Sequence, residues 1–249
     1  MRRLFYKGAL ADEIEITGTD AHHLLHVLRA KAGQQLTVVD DAGRVARMEM
    51  TAFTAESVSL RLLEYLDADT EPPIGLVLVQ ALLKADKMDF IVQKAVELGA
   101  TAILPVECTN CVARYEARKA AARQQRWQKI AEEAAKQCGR TRLVQVAPVQ
   151  PLPAFLSGWQ AGTEQGELIF CYENEQQQKL QDCLRISTSR AFHVLIGPEG
   201  GFTLAEAEAI EGAGGRSVTL GPRVLRAETA ALAALAVLQY EKGDLGRVD

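Results

Sequence analysis

Two short segments near the C-terminal end combine residue types that do chemistry: Gly197-Pro-Glu-Gly-Gly-Phe202 and Gly221-Pro-Arg-Val-Leu-Arg226. In the first, adjacent Gly200 and Gly201 permit positive φ and let a ligand approach the main chain closely, while Glu199 supplies a carboxylate. It lacks the lysine and Ser/Thr of a phosphate loop, and it is not the G-x-G-x-x-G dinucleotide fingerprint. Alone, it reads equally well as a plain tight turn. The second segment carries Arg223 and Arg226, with Glu228 just beyond. Guanidinium groups suit a phosphate or a developing oxyanion, although a surface loop with incidental charges has the same composition. Pro198 and Pro222 each follow a glycine and stiffen loops that can face one another.

Three other sets are weaker. Cys108-Thr-Asn-Cys111 has metal-ligand spacing, but no second pair or histidine follows at a suitable distance, so no metal is expected. His22 and His26 lie one helical turn apart without an evident third ligand and read as a polar helix face, with Arg29 beside them. His193 falls within a buried strand and reads as structural.

The elements that must position the two turns follow from periodicity. Glu13–Ile16, Gln34–Val39, Val45–Thr51 and Val58–Leu62 are short, β-branched or alternating, and read as strands. A helix from Asp20 to Ala32, closed by Gly33, interrupts them. Together they predict a small β-barrel-like domain over residues 1–70. Asp67-Ala-Asp-Thr-Glu-Pro-Pro73 is the linker, and a second domain spans 74–249. There Gly75–Gln80, Thr101–Val106, Leu143–Val146, Glu167–Tyr172, Phe192–Ile196 and Ser217–Leu220 read as strands. Asp86–Leu98, Arg118–Cys138, Thr203–Gly212 and Glu228–Glu241 read as helices. Thr203 and Glu206 have capping-box spacing. This alternation predicts a mostly parallel α/β sheet with helices on both faces. Glycine turns at the carboxyl ends of its strands are where such sheets bind ligands.

With 48% hydrophobic and 24% charged residues in 249, the composition is that of a globular chain. The longest apolar runs, Ile74–Leu83 and Ala230–Leu238, are about half of a membrane span. No apolar leader opens the chain, and five scattered cysteines suit a reducing compartment. A cytoplasmic protein without membrane contact is expected. The net charge of −4 hides an asymmetry: residues 84–142 hold 12 basic and 7 acidic side chains, whereas residues 1–72 hold 8 and 12. The basic segment is either a solvated helix face or a local phosphate-binding field.

Leu195-Ile-Gly-Pro-Glu-Gly-Gly-Phe202 together with Leu220-Gly-Pro-Arg-Val-Leu-Arg-Ala-Glu-Thr-Ala230 resembles the signature of the RsmE family of knotted (SPOUT-class) methyltransferases. The likeness extends to Arg2-Arg-Leu-Phe5, His22-His-Leu-Leu-His-Val-Leu-Arg29, Lys84-Ala-Asp-Lys-Met-Asp89, Lys94-Ala-Val-Glu-Leu-Gly99, and Arg126-Trp-Gln-Lys-Ile-Ala-Glu-Glu-Ala134 with Gln137 and Arg140. Cys138 and Gln145 depart from the pattern, away from both turns. The resemblance implies an α/β trefoil-knot domain with a small N-terminal PUA-like domain. It also implies a homodimer and transfer of a methyl group from S-adenosylmethionine to N3 of a uridine in 16S ribosomal RNA of the small subunit. The same scaffold acting on a ribose 2′-oxygen, or a silent RNA-binding assembly factor, are the alternatives.

Under that resemblance, a cofactor without phosphate is held by main-chain and apolar groups: Leu195, Ile196, Gly197, Pro198, Gly200, Gly201, Leu220, Gly221, Leu225, Arg226 and Thr229. Its sulfonium favours Glu199 and Glu228 as neighbours. Arg226, then Arg223, would stabilise the uridine anion, with Glu199 or Glu228 as general base. Lys84, Lys87, Arg114, Arg126 and Arg140 would grip RNA phosphates, and Arg2, Arg3, Phe5, His22 and Arg29 would be the contacts of the N-terminal domain.

Overall fold

The computed structural model describes residues 3–68, 70–162 and 166–246. It divides into two compact units, Met1–Glu71 with Ala135–Leu143, and Pro72–Ala134 with Val144–Asp249.

The first unit contains β1 (Arg3–Phe5), β2 (Glu13–Thr17), α1 (Gly18–His22), β3 (Gln35–Val39), β4 (Val45–Phe53) and β5 (Ser57–Leu66). The strands form one sheet in the order β1-β3-β4-β5-β2. Strict alternation in β2 buries Ile14 and Ile16 and exposes Glu13, Glu15 and Thr17. Register shifts between β4 and β5 at Arg47/Met48 and Met50/Ala52 bend the long strands. The sheet curls around Leu36, Val38, Met48, Val58 and Leu60, onto which Ala21 and Leu24 pack.

The helix expected over Asp20–Ala32 is shorter and begins earlier. After α1 the chain widens into a π-helical turn, His23–Val27, and stops at Leu28. Arg29 then takes the left-handed region (φ 49), and the Ala30 amide donates to the Leu24 carbonyl. Gly33 does not cap this helix; its amide donates to Met50 at the entry to β3. Strand β1, with 3 residues, is too short to show a period in the sequence.

The second unit contains β6 (Gly75–Ala81), α2 (Lys87–Glu97), β7 (Ala102–Glu107), most of α3 (Ala117–Cys138), β8 (Gln145–Val146), β9 (Gln150–Pro151) and α4 (Leu152–Ala161). There follow β10 (Glu167–Cys171), α5 (Leu180–Ile186), β11 (Ala191–Ile196), α6 (Leu204–Gly212), β12 (Arg216–Val218) and α7 (Ala227–Glu241). The sheet runs β12-β10-β11-β6-β7-β8, with β9 also paired to β7. Every pairing in it is parallel. Its central strands are continuous apolar runs because both faces are covered: Leu76, Leu78 and Val79 of β6 and Phe192, Val194 and Leu195 of β11 are buried. Helix α7 packs on α2, α5, β6 and β11. Helices α4 and α5 and strand β9 were not anticipated; α4 opens on Pro151 and holds Gly158, and α5 has only 7 residues.

Candidate active site

Because the sheet is parallel, β6, β10, β11 and β12 deliver their carboxyl ends to one edge. The two glycine turns leave β11 and β12, which are not neighbours; β10 lies between them. Its following loop therefore forms a third wall that the sequence reading missed. A cavity of about 930 Å³ sits among these ends, lined by both turns, by Tyr172, Glu173, Glu175 and Gln176 after β10, and by Lys87.

The first turn is shaped from behind. The Gly201 amide donates to the Pro198 carbonyl at 3.0 Å. Asn110 Nδ2 donates to the carbonyls of Gly200 and Gly201, both at 3.1 Å. Gly201 holds φ 67, a left-handed conformation that favours glycine, and a Cβ there would meet the carboxylate end of Glu173. The turn runs into α6 through the expected capping box, Glu206 N donating to Thr203 Oγ1 at 3.2 Å and Thr203 N to Glu206 Oε2 at 2.9 Å. The remaining Glu206 oxygen accepts the Thr109 amide at 2.7 Å.

The second turn is irregular from Gly221 (φ 117) to Arg226, so its amides and carbonyls lie outside any ladder. Arg226 is the N-cap of α7 and has no side-chain capping bond. A cation at the positive end of a helix is disfavoured, and only Glu228 in the first turn offsets it.

The acids are not isolated. Ala85 holds φ 55 and turns the chain after β6 so that Lys84 and α2 face the first turn. Glu199 Oε1 accepts the Lys84 amide at 3.2 Å and Lys87 Nζ at 3.2 Å. Lys87 Nζ also stands 3.3 Å from Glu228 Oε2. Burial alone would raise the Glu199 pKa, but the Lys84 amide and Lys87 outweigh it and hold the carboxyl below its ordinary range. Burial would likewise lower Lys87, yet its two carboxylate partners keep it raised.

Of the residues expected at the site, Ile196, Gly197, Pro198, Glu199, Gly200, Gly201, Leu220, Gly221, Arg223, Leu225 and Arg226 line the cavity. Leu195 is buried within β11, while Glu228 and Thr229 lie outside the lining. S-Adenosylmethionine, implied by the resemblance, suits this wall. Glycines open the main chain to it, Ile196 and Leu225 offer apolar surface, and Glu173, Glu175 and Glu199 supply negative charge for a cation. The volume is also in the usual range of small-molecule sites.

The residues expected to contact RNA divide. Lys87 is committed to Glu199 and Glu228. Arg140 is not on a binding face: it is 4% exposed and donates from Nε and Nη2 to Glu71, the shortest contact being 2.6 Å. Arg126 is exposed while paired with Asp89 at 2.6 Å, and Arg114, also exposed, donates to the Thr109 carbonyl at 3.2 Å. Lys84, His22 and Arg29 are exposed, Phe5 is half-buried, and the half-buried Arg3 guanidinium packs near Gly139. Arg2 lies outside the described residues. The His22 and His26 rings lie 4.6 Å apart between centroids, tilted at 48° to each other. His193 packs edge-on against Trp159 at 4.8 Å. Cys108 and Cys111 are buried, the Cys108 amide donating to Cys111 Sγ at 3.3 Å, so this pair shapes the turn that carries Asn110. Among the described residues no helix is long and apolar enough to cross a membrane.

A parallel α/β sheet with a ligand cavity at its carboxyl edge, preceded by a small curled sheet, defines the class. A family profile described as RNA methyltransferase domain matches residues 70–239, and one described as RNA methyltransferase PUA domain matches residues 16–63. The chain is similar to ribosomal RNA small subunit methyltransferase E of Bacillus subtilis, 32% identical over 236 residues, covering 93% of this chain and 91% of that one. It is also similar to the crystal structure of a ribosomal RNA small subunit methyltransferase E from Neisseria gonorrhoeae bound to S-adenosyl methionine. That likeness has a TM-score of 0.87 at 32% identity and covers 98% of this chain and 99% of that one. A putative methyltransferase from Legionella pneumophila in complex with the same cofactor gives a TM-score of 0.82 at 29% identity, covering 97% and 98%. The chain belongs to the ribosomal RNA small subunit methyltransferase E family.

Proposed function

We propose that this protein methylates N3 of a specific uridine in 16S ribosomal RNA of the small subunit, with S-adenosylmethionine as donor, in the cytoplasm. The observation that carries the reading is the convergence of both glycine turns, Glu199 and Arg226 on one cavity. The cofactor supplies an electrophilic methyl group on a cationic sulfur. The chain's own residues do the rest. Uridine N3 loses a weakly acidic proton to become nucleophilic, and the charge left on O2, N3 and O4 is stabilised by the Arg226 guanidinium, with Arg223 beside it on the same wall. Glu199, on the wall, is the better placed proton acceptor, and Glu228 stands behind it across Lys87. A carboxylate held below its ordinary pKa is a weak base, which leaves most of the activation to Arg226.

In this reading residues 74–249 hold the cofactor, with α7 threaded behind the two turns in a trefoil knot; its packing on α2, α5, β6 and β11 supports this. Residues 1–70 grip RNA through Arg2, Arg3, Phe5, His22 and Arg29, joined by Lys84, Arg114 and Arg126. Two copies assemble as a homodimer, with the substrate path between subunits. The test is labelled methyl transfer to small ribosomal subunits from a strain lacking the protein, followed by mapping of the modified atom. A 2′-O-methyl product, or an absence of S-adenosylmethionine binding in calorimetry, overturns the reading.

A further inference from the structure

The cluster formed by Lys87, Glu199 and Glu228 joins three segments that are remote in sequence: the start of α2, the first glycine turn and the first turn of α7. Lysine is the one cation among the three. Its ammonium lies 3.2 Å from Glu199 and 3.3 Å from Glu228, with side-chain exposures of 30%, 25% and 19%. Glu228 Oε2 is buried and has no aligned hydrogen bond, so the ion pair with Lys87 is its compensation. The Lys84 amide reaches the same Glu199 oxygen, and the left-handed Ala85 between Lys84 and Lys87 strains the chain to permit it.

We propose that Lys87 is a positioning residue for methyl transfer: it ties the first glycine turn to the start of α7, so that Glu199 and Arg226 face the cofactor cavity at a fixed separation. This rests on the function proposed above. When Glu199 takes the uridine proton, the Lys87–Glu228 pair remains balanced. The charged side chain that meets Glu199 is Lys87, beside the Lys84 main-chain amide; Glu228 of α7 lies on the other side of Lys87, and Arg226 at the N-cap of α7 lines the same cavity. Arg223 of the second turn and Glu173, Glu175 and Lys179 after β10 share the cavity wall.

The test compares Lys87→Met and Lys87→Arg in the full chain. S-Adenosylmethionine affinity is read by calorimetry, turnover is read against pH, and binding to small ribosomal subunits is read against salt. Lys87→Met is expected to weaken cofactor binding about tenfold. The acid limb of its turnover profile moves to higher pH, because Glu199 loses the cation that holds its proton affinity down. Lys87→Arg retains the charge and restores both. The salt slope of subunit binding stays as in the unaltered protein. The proposal is overturned if Lys87→Met binds the cofactor normally, if its acid limb stays in place, or if its salt slope falls by about 1, the signature of a lost phosphate contact. Where Lys87→Met does not fold, Glu228→Gln severs one arm of the cluster at constant shape. It must then weaken cofactor binding in the same direction, and unchanged affinity overturns the proposal. Failure of the unaltered protein to methylate RNA would instead remove the proposed function, while the calorimetric comparison would still decide the role of Lys87.

Discussion

Asn110 holds Gly201 from behind: its side-chain amide donates at 3.1 Å to the Gly201 carbonyl and, at the same distance, to that of Gly200. The tip of the turn after β7 therefore sets the curvature of the turn after β11. Asn110→Ala removes two hydrogen bonds without touching the cavity. S-Adenosylmethionine affinity, measured by calorimetry, should fall about tenfold, the size of a net hydrogen-bond contribution or two. Unchanged affinity would show that the turn holds its shape alone.

Gly201→Ala tests the other side of the same turn. The new methyl group would stand 1.8 Å from Glu173 Oε1, at a φ of 67. The exposed Glu173 carboxylate must swing aside, so cofactor binding should weaken in the single variant. Measured against Glu173→Ala alone, which accounts for the carboxylate lost from the cavity wall, Gly201→Ala with Glu173→Ala has no collision but keeps the left-handed backbone strain of about 1 kcal/mol. Partial recovery in calorimetry is the expected outcome, and full recovery would mean that backbone strain contributes nothing.

Arg226→Ala separates chemistry from binding. Turnover should fall by about 10²–10³, typical for loss of one donor to a developing anion, while cofactor affinity changes little. Single-turnover methyl transfer and calorimetry on the same preparation give the two numbers. An equal fall in both would recast Arg226 as a binding residue only.

Arg140 and Glu71 close a buried ion pair in the first unit, with side-chain exposures of 5% and 13%. Glu71 also accepts the amides of Thr141 at 2.7 Å and Arg142 at 3.0 Å. Arg140→Met leaves the largely buried carboxylate with its amide donors but without its countercharge and should lower stability by about 3 kcal/mol, read from urea melts at neutral pH. Burial pushes the Glu71 carboxyl up, but Arg140 and these amides outweigh it and hold it below the ordinary 4.5. Its contribution is therefore complete above that value and drains away as pH falls through the lower folded value. Arg140→Met should lose this acid-side dependence, so the two proteins converge in stability as the medium is acidified.

Arg114→Gln and Arg126→Gln should each reduce the salt slope of binding to small ribosomal subunits by about 1 while leaving cofactor affinity unchanged. A slope unchanged in both would place the RNA surface elsewhere.

Much of the second unit is written in local pattern. Buried runs such as Leu78–Ala81 and Val194–Ile196 read as parallel strands because burial on both faces removes alternation. The Thr203–Glu206 box marks the start of α6 because its partners are three residues apart. The two glycine turns were legible by residue type. What stayed hidden depends on distant partners. Nothing local in Tyr172–Gln176 says that β10 lies between β11 and β12, so that wall of the cavity was invisible. Lys87 and Arg140 read as free cations, since their acids sit 112 and 69 residues away in sequence. An unpaired charge and a paired one look alike until the chain is folded.

Arg226 caps a helix at the end where an Asp, Ser or Asn would stabilise it. The helix would be firmer without it, so folding and catalysis pull this position in opposite directions. A library of variants sorted only for heat resistance should therefore shed Arg226 early, replacing it with a small acceptor, and yield proteins that survive heating but transfer no methyl groups.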